Sequence, residues 1–225
     1  MARIVKEADE RRNEILDAAE TLITEKGYSK TTIIDILNQV GIAKGTFYYY
    51  FKSKEEVMDA IIERFIEQDV QKARLIAMDK SISPVRKICR IIAAGQPRTD
   101  GPKDRMIEES HLPANALMHE KSIVRSILAL SPILGEIASQ GVKERLFSTE
   151  HPLEAMQILL VSGQILFDSS MFTWTPCEME QKINGFIEAM EAVLGAEKGT
   201  FEPMKQILAA GSGCILQESE SRRAE

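Results

Sequence analysis

The sequence predicts an all-α protein in two parts, a small N-terminal three-helix domain and a larger helical domain behind it. Three observations lead there. Apolar residues recur at helical spacing along most of the chain, and no stretch shows the period-two alternation of a half-buried strand. Helix-end chemistry punctuates these stripes: Gly27, Gly41, Gly95 and Gly195 follow them, while Ser83-Pro84 and Thr175-Pro176 precede them. The chain of 225 residues is 44% hydrophobic but only 6% aromatic, which is enough for a sizeable helical core. No internal repeat is evident.

Taken in order, residues 1–8 carry Arg3 and Lys6 without apolar periodicity and read as a mobile arm. Arg11 to Lys26 is an amphipathic helix with Ile15, Ala18, Ala19, Leu22 and Ile23 on its stripe, ended by Gly27. Thr31 and Thr32 are natural N-caps for a helix carrying Ile33, Ile36, Leu37 and Val40. Gly41 breaks that pattern, and a second short helix opens near Ala43 and runs through Tyr50. Ser53 with Glu56 three residues later is a capping box. The helix it starts buries Val57, Met58, Ile61, Ile62 and Phe65 and runs to about Val70 as a connector.

A further helix spans Pro84 to Gly95 and carries Val85, Ile88, Cys89 and Ile92. Gln96 to Lys103 is a loop. Asp104 to His119 is helical with a kink at Pro113, and Ser122 to Phe147 is helical with interruptions at Ser131-Pro132 and Gly141. Pro152 to Thr173 is a long apolar helix. Thr175 and Glu178 form a second capping box, opening a helix that runs to Leu194. The tail after Glu197 holds one short helix around Met204 to Leu208, and its polar end, QESESRRAE, is expected to be disordered. The implied domains are 1–52, 53–197 with the connector at about 53–70, and a tail at 198–225.

The stretch from Thr31 to Lys54 carries the chemistry. Phe47 and Phe51 sit four apart and face the preceding helix. That phase turns Gly45, Tyr49 and Lys52 outward, with Thr46 and Tyr48 on the flanks. Tyr48, Tyr49 and Tyr50 cannot all face one core, because successive helical residues point about 100° apart. They form either a packing cluster shared between faces or, for those turned outward, an outside contact. A helix, a Gly turn and a second helix with a small, aromatic and basic face make the helix-turn-helix layout, whose second helix enters the DNA major groove. Lys44 starts that helix within reach of a guanine edge or a phosphate, and Gly45 admits a close backbone approach.

Charge agrees. The whole chain carries −6, yet Lys26 to Lys54 holds five lysines (26, 30, 44, 52 and 54) against the single Asp35. A basic head on an acidic body suits a protein that touches DNA with one end.

The run GIAKGTFYYYFKSKEEVMDAI resembles the signature of the TetR family of bacterial transcriptional regulators. The spacing from Thr32 through Gly41, Gly45, Thr46, Tyr48, Phe51 and Lys54 carries the match, over about the first quarter of the chain. The resemblance implies a homodimeric regulator, a repressor released from a palindromic DNA operator by a small molecule. It implies DNA contacts from Thr31, Thr32, Lys44, Gly45, Thr46, Tyr48, Tyr49, Lys52 and Lys54, with Lys54 on a phosphate. It assigns the second domain to ligand binding, and pairs the last two long helices with their twins in a four-helix dimer interface. Met106, Met118, Phe167, Met171 and Trp174 are the candidate pocket residues, since Met is adaptable, although each serves a core equally well. Two residues depart from the pattern. Ile34 stands where an exposed polar or basic residue is usual, which sets aside the usual phosphate or base contact from this helix, although an isoleucine could touch a thymine methyl instead. Leu37 stands where a small Ala commonly lets the two helices cross closely.

Other classes find less support. An enzyme would need a catalytic constellation in residues 80–195, and no HExxH, CxxC or Ser/His/Asp order is present. His111 and His119 are eight apart, two turns along one helix, and His151 precedes Pro152, so neither a metal nor a cofactor is expected. The most apolar stretch, Ile158 to Phe167, is interrupted by Ser162, Gly163 and Gln164, and no run is expected to approach a membrane span. Cys89, Cys177 and Cys214 are distant and odd in number, as reduced thiols of a cytoplasmic protein would be. The alternative is a DNA-binding adaptor or nucleoid-type protein without a small-molecule inducer.

Overall fold

Capping chemistry sets the helix ends. In order they are α1 (Ala8–Lys26), α2 (Ile33–Val40), α3 (Lys44–Tyr50), α4 (Lys54–Met78), α5 (Pro84–Gly95), α6 (Pro102–Ser110), α7 (Ala116–Lys143), α8 (Pro152–Leu166), α9 (Pro176–Leu194) and α10 (Met204–Gly211). The computed structural model describes residues 8–96, 102–112 and 115–211, and among these there is no strand, in keeping with the all-α reading. The arm with Arg3 and Lys6, Cys214 and the polar C-terminal end lie outside the described residues.

The chain packs as two compact units, Met1–Glu67 with Arg98–Ser122, and Gln68–Pro97 with Ile123–Glu225. In the first, α1 contributes Ile15, Leu16, Ala19 and Ile23, and α2 contributes Ile36. Phe47 and Phe51 come from α3 and its C-cap, and Val57, Met58 and Ile61 from the first turns of α4. Met106 of α6 completes this core. The packing division thus differs from the expected boundary at residue 52. The first turns of α4 are apolar on the face that meets α1, and Arg64 ion-pairs with Asp17 (2.6 Å) and with Glu20 across the same seam.

In the second unit α5, α7, α8, α9 and α10 enclose Ile88, Leu134, Ile137, Met156, Leu159, Ile183, Ile187, Met190 and Leu194. Phe201, Met204 and Leu208 lie in the same core, so the expected tail is structural as far as α10. The Phe201 N–H donates to the buried Glu191 carboxylate at 3.0 Å, and the Phe201 ring stacks on Phe147.

Several sequence expectations change here. The helix expected across Asp104–His119 is two helices, α6 and α7, and the loop expected to Lys103 ends at Pro102. The connector helix runs eight residues past Val70. α7 continues through Pro132 and past Gly141, where interruptions were expected. Gly141 is needed for another reason: a Cβ there would sit 2.2 Å from the Phe147 ring, which folds back over the helix end. α8 stops at Leu166 rather than Thr173, because the Trp174 indole N–H donates to the Leu166 carbonyl at 2.9 Å and closes its C-terminus. By length and composition α7 is long and apolar enough to cross a membrane, a test that the core helix of a soluble protein also passes. That corrects the expectation that no run approaches a span. In this fold Leu134, Ile137 and Ala138 of α7 are buried in the second core.

Candidate nucleic-acid interface

The first unit presents α2 and α3 as a helix-turn-helix pair. Thr32 is the N-cap of α2: its Oγ1 accepts from the Asp35 N–H at 3.2 Å, and the Asp35 carboxylate accepts from the Thr32 N–H at 2.8 Å. Lys26 pairs with the same carboxylate at 2.7 Å. The Lys26 bond, then those from Thr32, hold Asp35 down at about 2. At the other end Gly41 takes the left-handed conformation (φ 72°, ψ 39°) and its N–H closes on Leu37. The chain then enters α3, with Ala43 as an extended N-cap.

Phe47 is wholly buried, and its ring lies 6.1 Å from that of Phe51, the extended C-cap of α3. This seam fixes the rotation of α3 and turns the rest of the helix outward. Tyr49 is 78% exposed and Tyr48 44%. Lys44, Gly45 and Lys52 are exposed, Thr46 is half-buried, and nothing lies within 4 Å of where a Gly45 side chain would begin. The Lys44 ammonium sits 5.7 Å from the Tyr48 ring centre. The resulting surface offers cations, phenol hydroxyls and open backbone together.

Besides Thr32, whose hydroxyl also donates to the Asp35 carboxylate at 2.7 Å, two expected contact residues have other partners. Thr31 is wholly buried and its hydroxyl donates to the Gly27 carbonyl at 2.9 Å, so its side chain ties the α1–α2 loop and is turned away from solvent. Lys54 donates to the Tyr28 carbonyl at 2.8 Å, with its ammonium 4.1 Å from the Tyr28 ring centre. Burial, and then Glu55, push the Tyr28 phenol up to about 12, so the ring stays neutral under this cation. The Ser53–Glu56 box is half-formed. Ser53 Oγ accepts from the Glu56 N–H, but the Glu56 carboxylate takes the Lys52 N–H at 2.6 Å.

Sequence reading missed three contributors. Asp35 closes a box whose third residue is Asp rather than the commoner Glu. Glu109 of α6 accepts the Tyr28 N–H at 2.8 Å from 81 residues away. Arg12 of α1 is exposed with its guanidinium 5.3 Å from the Phe51 ring centre, adding a cation at the end of α3.

The candidate pocket residues are divided between the two units. Met106 is buried in the first core with Met118 against it. In the second unit Phe167 packs edge-on to Phe186 against the core. Met171 is exposed, and Trp174 stacks on Phe172 with Lys182 over its ring at 4.8 Å. His111 and His119 approach to 4.7 Å edge to face, because the chain breaks between α6 and α7 instead of continuing as one helix.

Two family models match this chain. One, for bacterial regulatory proteins of the tetR family, covers residues 15–61, the helices just described. The other, for the tetracyclin repressor-like C-terminal domain, covers residues 102–189. The chain belongs to the TetR family. Among its TetR-family relatives, the HTH-type transcriptional repressor KstR2 of Mycobacterium tuberculosis is 32% identical over 88 residues, 39% of this chain and 44% of that protein. The HTH-type transcriptional regulator TtgR of Pseudomonas putida is 30% identical over 83 residues, 37% of this chain and 40% of that one. The chain thus spans less than half the length of the curated relatives it matches. SmeT, the repressor of the Stenotrophomonas maltophilia multidrug efflux pump SmeDEF, has the same fold with a TM-score of 0.57 at 20% identity, over 84% of this chain and 92% of that one. RolR in complex with its ligand resorcinol has a TM-score of 0.55 at 15% identity, over 89% and 94%.

Proposed function

We propose that this chain is a DNA-binding transcriptional repressor that works as a homodimer on a palindromic operator and is released by a small molecule. The observation that carries the reading is the outer face of α3. Exposed Lys44, Gly45, Tyr48, Tyr49 and Lys52 are held in one rotation by the Phe47/Phe51 seam, on a basic segment of an acidic protein. Lys44 and Tyr49 read base edges or backbone in the major groove. Thr46 and Lys52 contact phosphates, and Thr32 contributes through the α2 N-terminus that it caps. Lys54 shares its ammonium between Tyr28 and the duplex, acting first as a tie within the unit.

The dimer is supported by the outward faces of the last two long helices. α8 leaves Leu153, Ile158 and Val161 exposed, and α9 leaves Gly185, Ala189 and Ala192 exposed at helical spacing. Small residues there admit a close helix–helix approach. Ligand release is the family's mode, and α4 is the continuous element that starts beside α3 and ends in the second unit. Its C-terminal turn is held where Lys87, buried on α5, donates to Ala77 O at 2.7 Å and to Gln140 Oε1 at 3.0 Å.

The test is selection of duplexes from a random pool by the purified protein, followed by displacement with small phenols, resorcinol first. Enrichment of a palindrome supports the reading. Retention of all selected DNA across the phenol series would remove that ligand class, and failure to enrich any sequence would remove operator recognition.

A further inference from the structure

Among the described residues of 8–67, the large apolar side chains left exposed are Ile34, Tyr48 and Tyr49, and all three lie on α2 or α3. The two tyrosines carry hydroxyls and flat rings suited to phosphates and bases. Ile34 offers only aliphatic carbon. It is 67% exposed two residues after the Thr32 N-cap. It has no part in capping, which Thr32 and Asp35 perform, and none in the core, where α2 sends Ile36 inward with Ile33, Leu37 and Val40 beside it. A β-branched aliphatic residue held open to water at a helix start contributes little to this fold.

The Ile34 side chain offers a phosphate nothing, having neither a donor nor a charge. On the major-groove edge of a duplex the one exposed apolar group is the C5-methyl of thymine. The lysines of this segment bring that groove to the surface electrostatically, while Ile34 supplies the large aliphatic side chain exposed on it. We propose that Ile34 is a specificity residue that reads a thymine methyl in each operator half-site. This rests on the operator-binding reading above, and adds to it a required base at one position.

The experiment uses the full chain and a duplex enriched from a random pool. Each thymine is replaced in turn by deoxyuridine, which removes the methyl and leaves base pairing intact. Affinities are measured for the wild type and for Ile34→Ala, after confirming that the two melt alike. At one thymine per half-site, loss of the methyl should weaken wild-type binding roughly three- to ten-fold, the scale of one buried methyl and its contacts. The same replacement should change Ile34→Ala binding less than about two-fold, since its partner is already gone. If every deoxyuridine costs the two proteins equally, Ile34 reads no methyl and the proposal falls while operator binding stands. If no duplex is enriched at all, the operator reading falls and this proposal falls with it.

Discussion

Asp35 joins three parts of the reading head at once: the N-terminus of α2, the Thr32 hydroxyl and, through Lys26, the end of α1. A carboxyl held near 2 in the fold against 3.8 in the unfolded chain stabilises the fold at every pH above 3.8 and loses that effect as pH falls through about 2. Asp35→Asn should therefore melt below the wild type at pH 5 to 7, with the two converging as pH approaches 2. Melting curves across that range check it, and a gap that persisted at pH 2 would assign Asp35's effect to something other than its charge. Lys54 makes a second contrast. Lys44→Ala and Tyr49→Ala should weaken DNA binding with melting unchanged, because both side chains point away from the Phe47/Phe51 seam. Lys54→Ala should lower both, because it also loses the Tyr28 carbonyl and ring. Parallel melting and gel-shift titrations separate the two classes.

α6 shows how an element can belong to one domain by sequence family and to another by packing. The C-terminal family model begins at residue 102, yet α6 lays Met106 into the N-terminal core and Glu109 onto the Tyr28 N–H. Met106→Ala should destabilise the DNA-binding unit by about 2–5 kcal/mol, the usual range for emptying a buried Met site, as read by urea unfolding. An unchanged midpoint would mean that α6 only rests on that core. At the end of α7, Gly141→Ala should cost about 1–3 kcal/mol, because the added methyl overlaps the Phe147 ring.

These elements also show what the sequence made legible. The ends of α2, α5 and α9 were readable because a cap, a proline or a left-handed glycine acts locally. The outer face of α3 was readable because one buried pair, Phe47 and Phe51, fixes the rotation of a short helix. The ties of Thr31 to Gly27 and of Lys54 to Tyr28 were not readable, because they run through a loop whose path no local pattern encodes. Met106 was misplaced because helical spacing gives the apolar face of α6 but not which core receives it. α7 ran through Pro132 because packing of Leu134, Ile137 and Ala138 outweighs the local cost of a proline in a helix.

At the scale of the whole molecule, operator binding by a dimer requires one spacing, and release by a ligand requires one reciprocal coupling. A dimer with α3 on each side of a two-fold axis must place the two reading helices about 34–36 Å apart, or a multiple of that, to meet successive major grooves. Sedimentation at micromolar concentration should then show a dimer. A ligand that releases the operator must in turn bind more weakly to the operator-bound protein, by the same factor, typically about 5–150-fold. α4 is the element through which that coupling would pass, with Lys54 tied to Tyr28 at one end and Ala77 bonded to Lys87 at the other.

The central claim is that α3 reads DNA sequence from its Lys44–Tyr49 face. The most direct measurement is footprinting and affinity on a duplex enriched by the wild-type protein, repeated with Lys44→Ala and Tyr49→Ala. Two protected half-sites related by a two-fold axis are expected. A loss of about 1–3 kcal/mol in binding is also expected for each variant that contacts a base, with the fold intact. Variants that bind the enriched duplex as tightly as the wild type would contradict that claim.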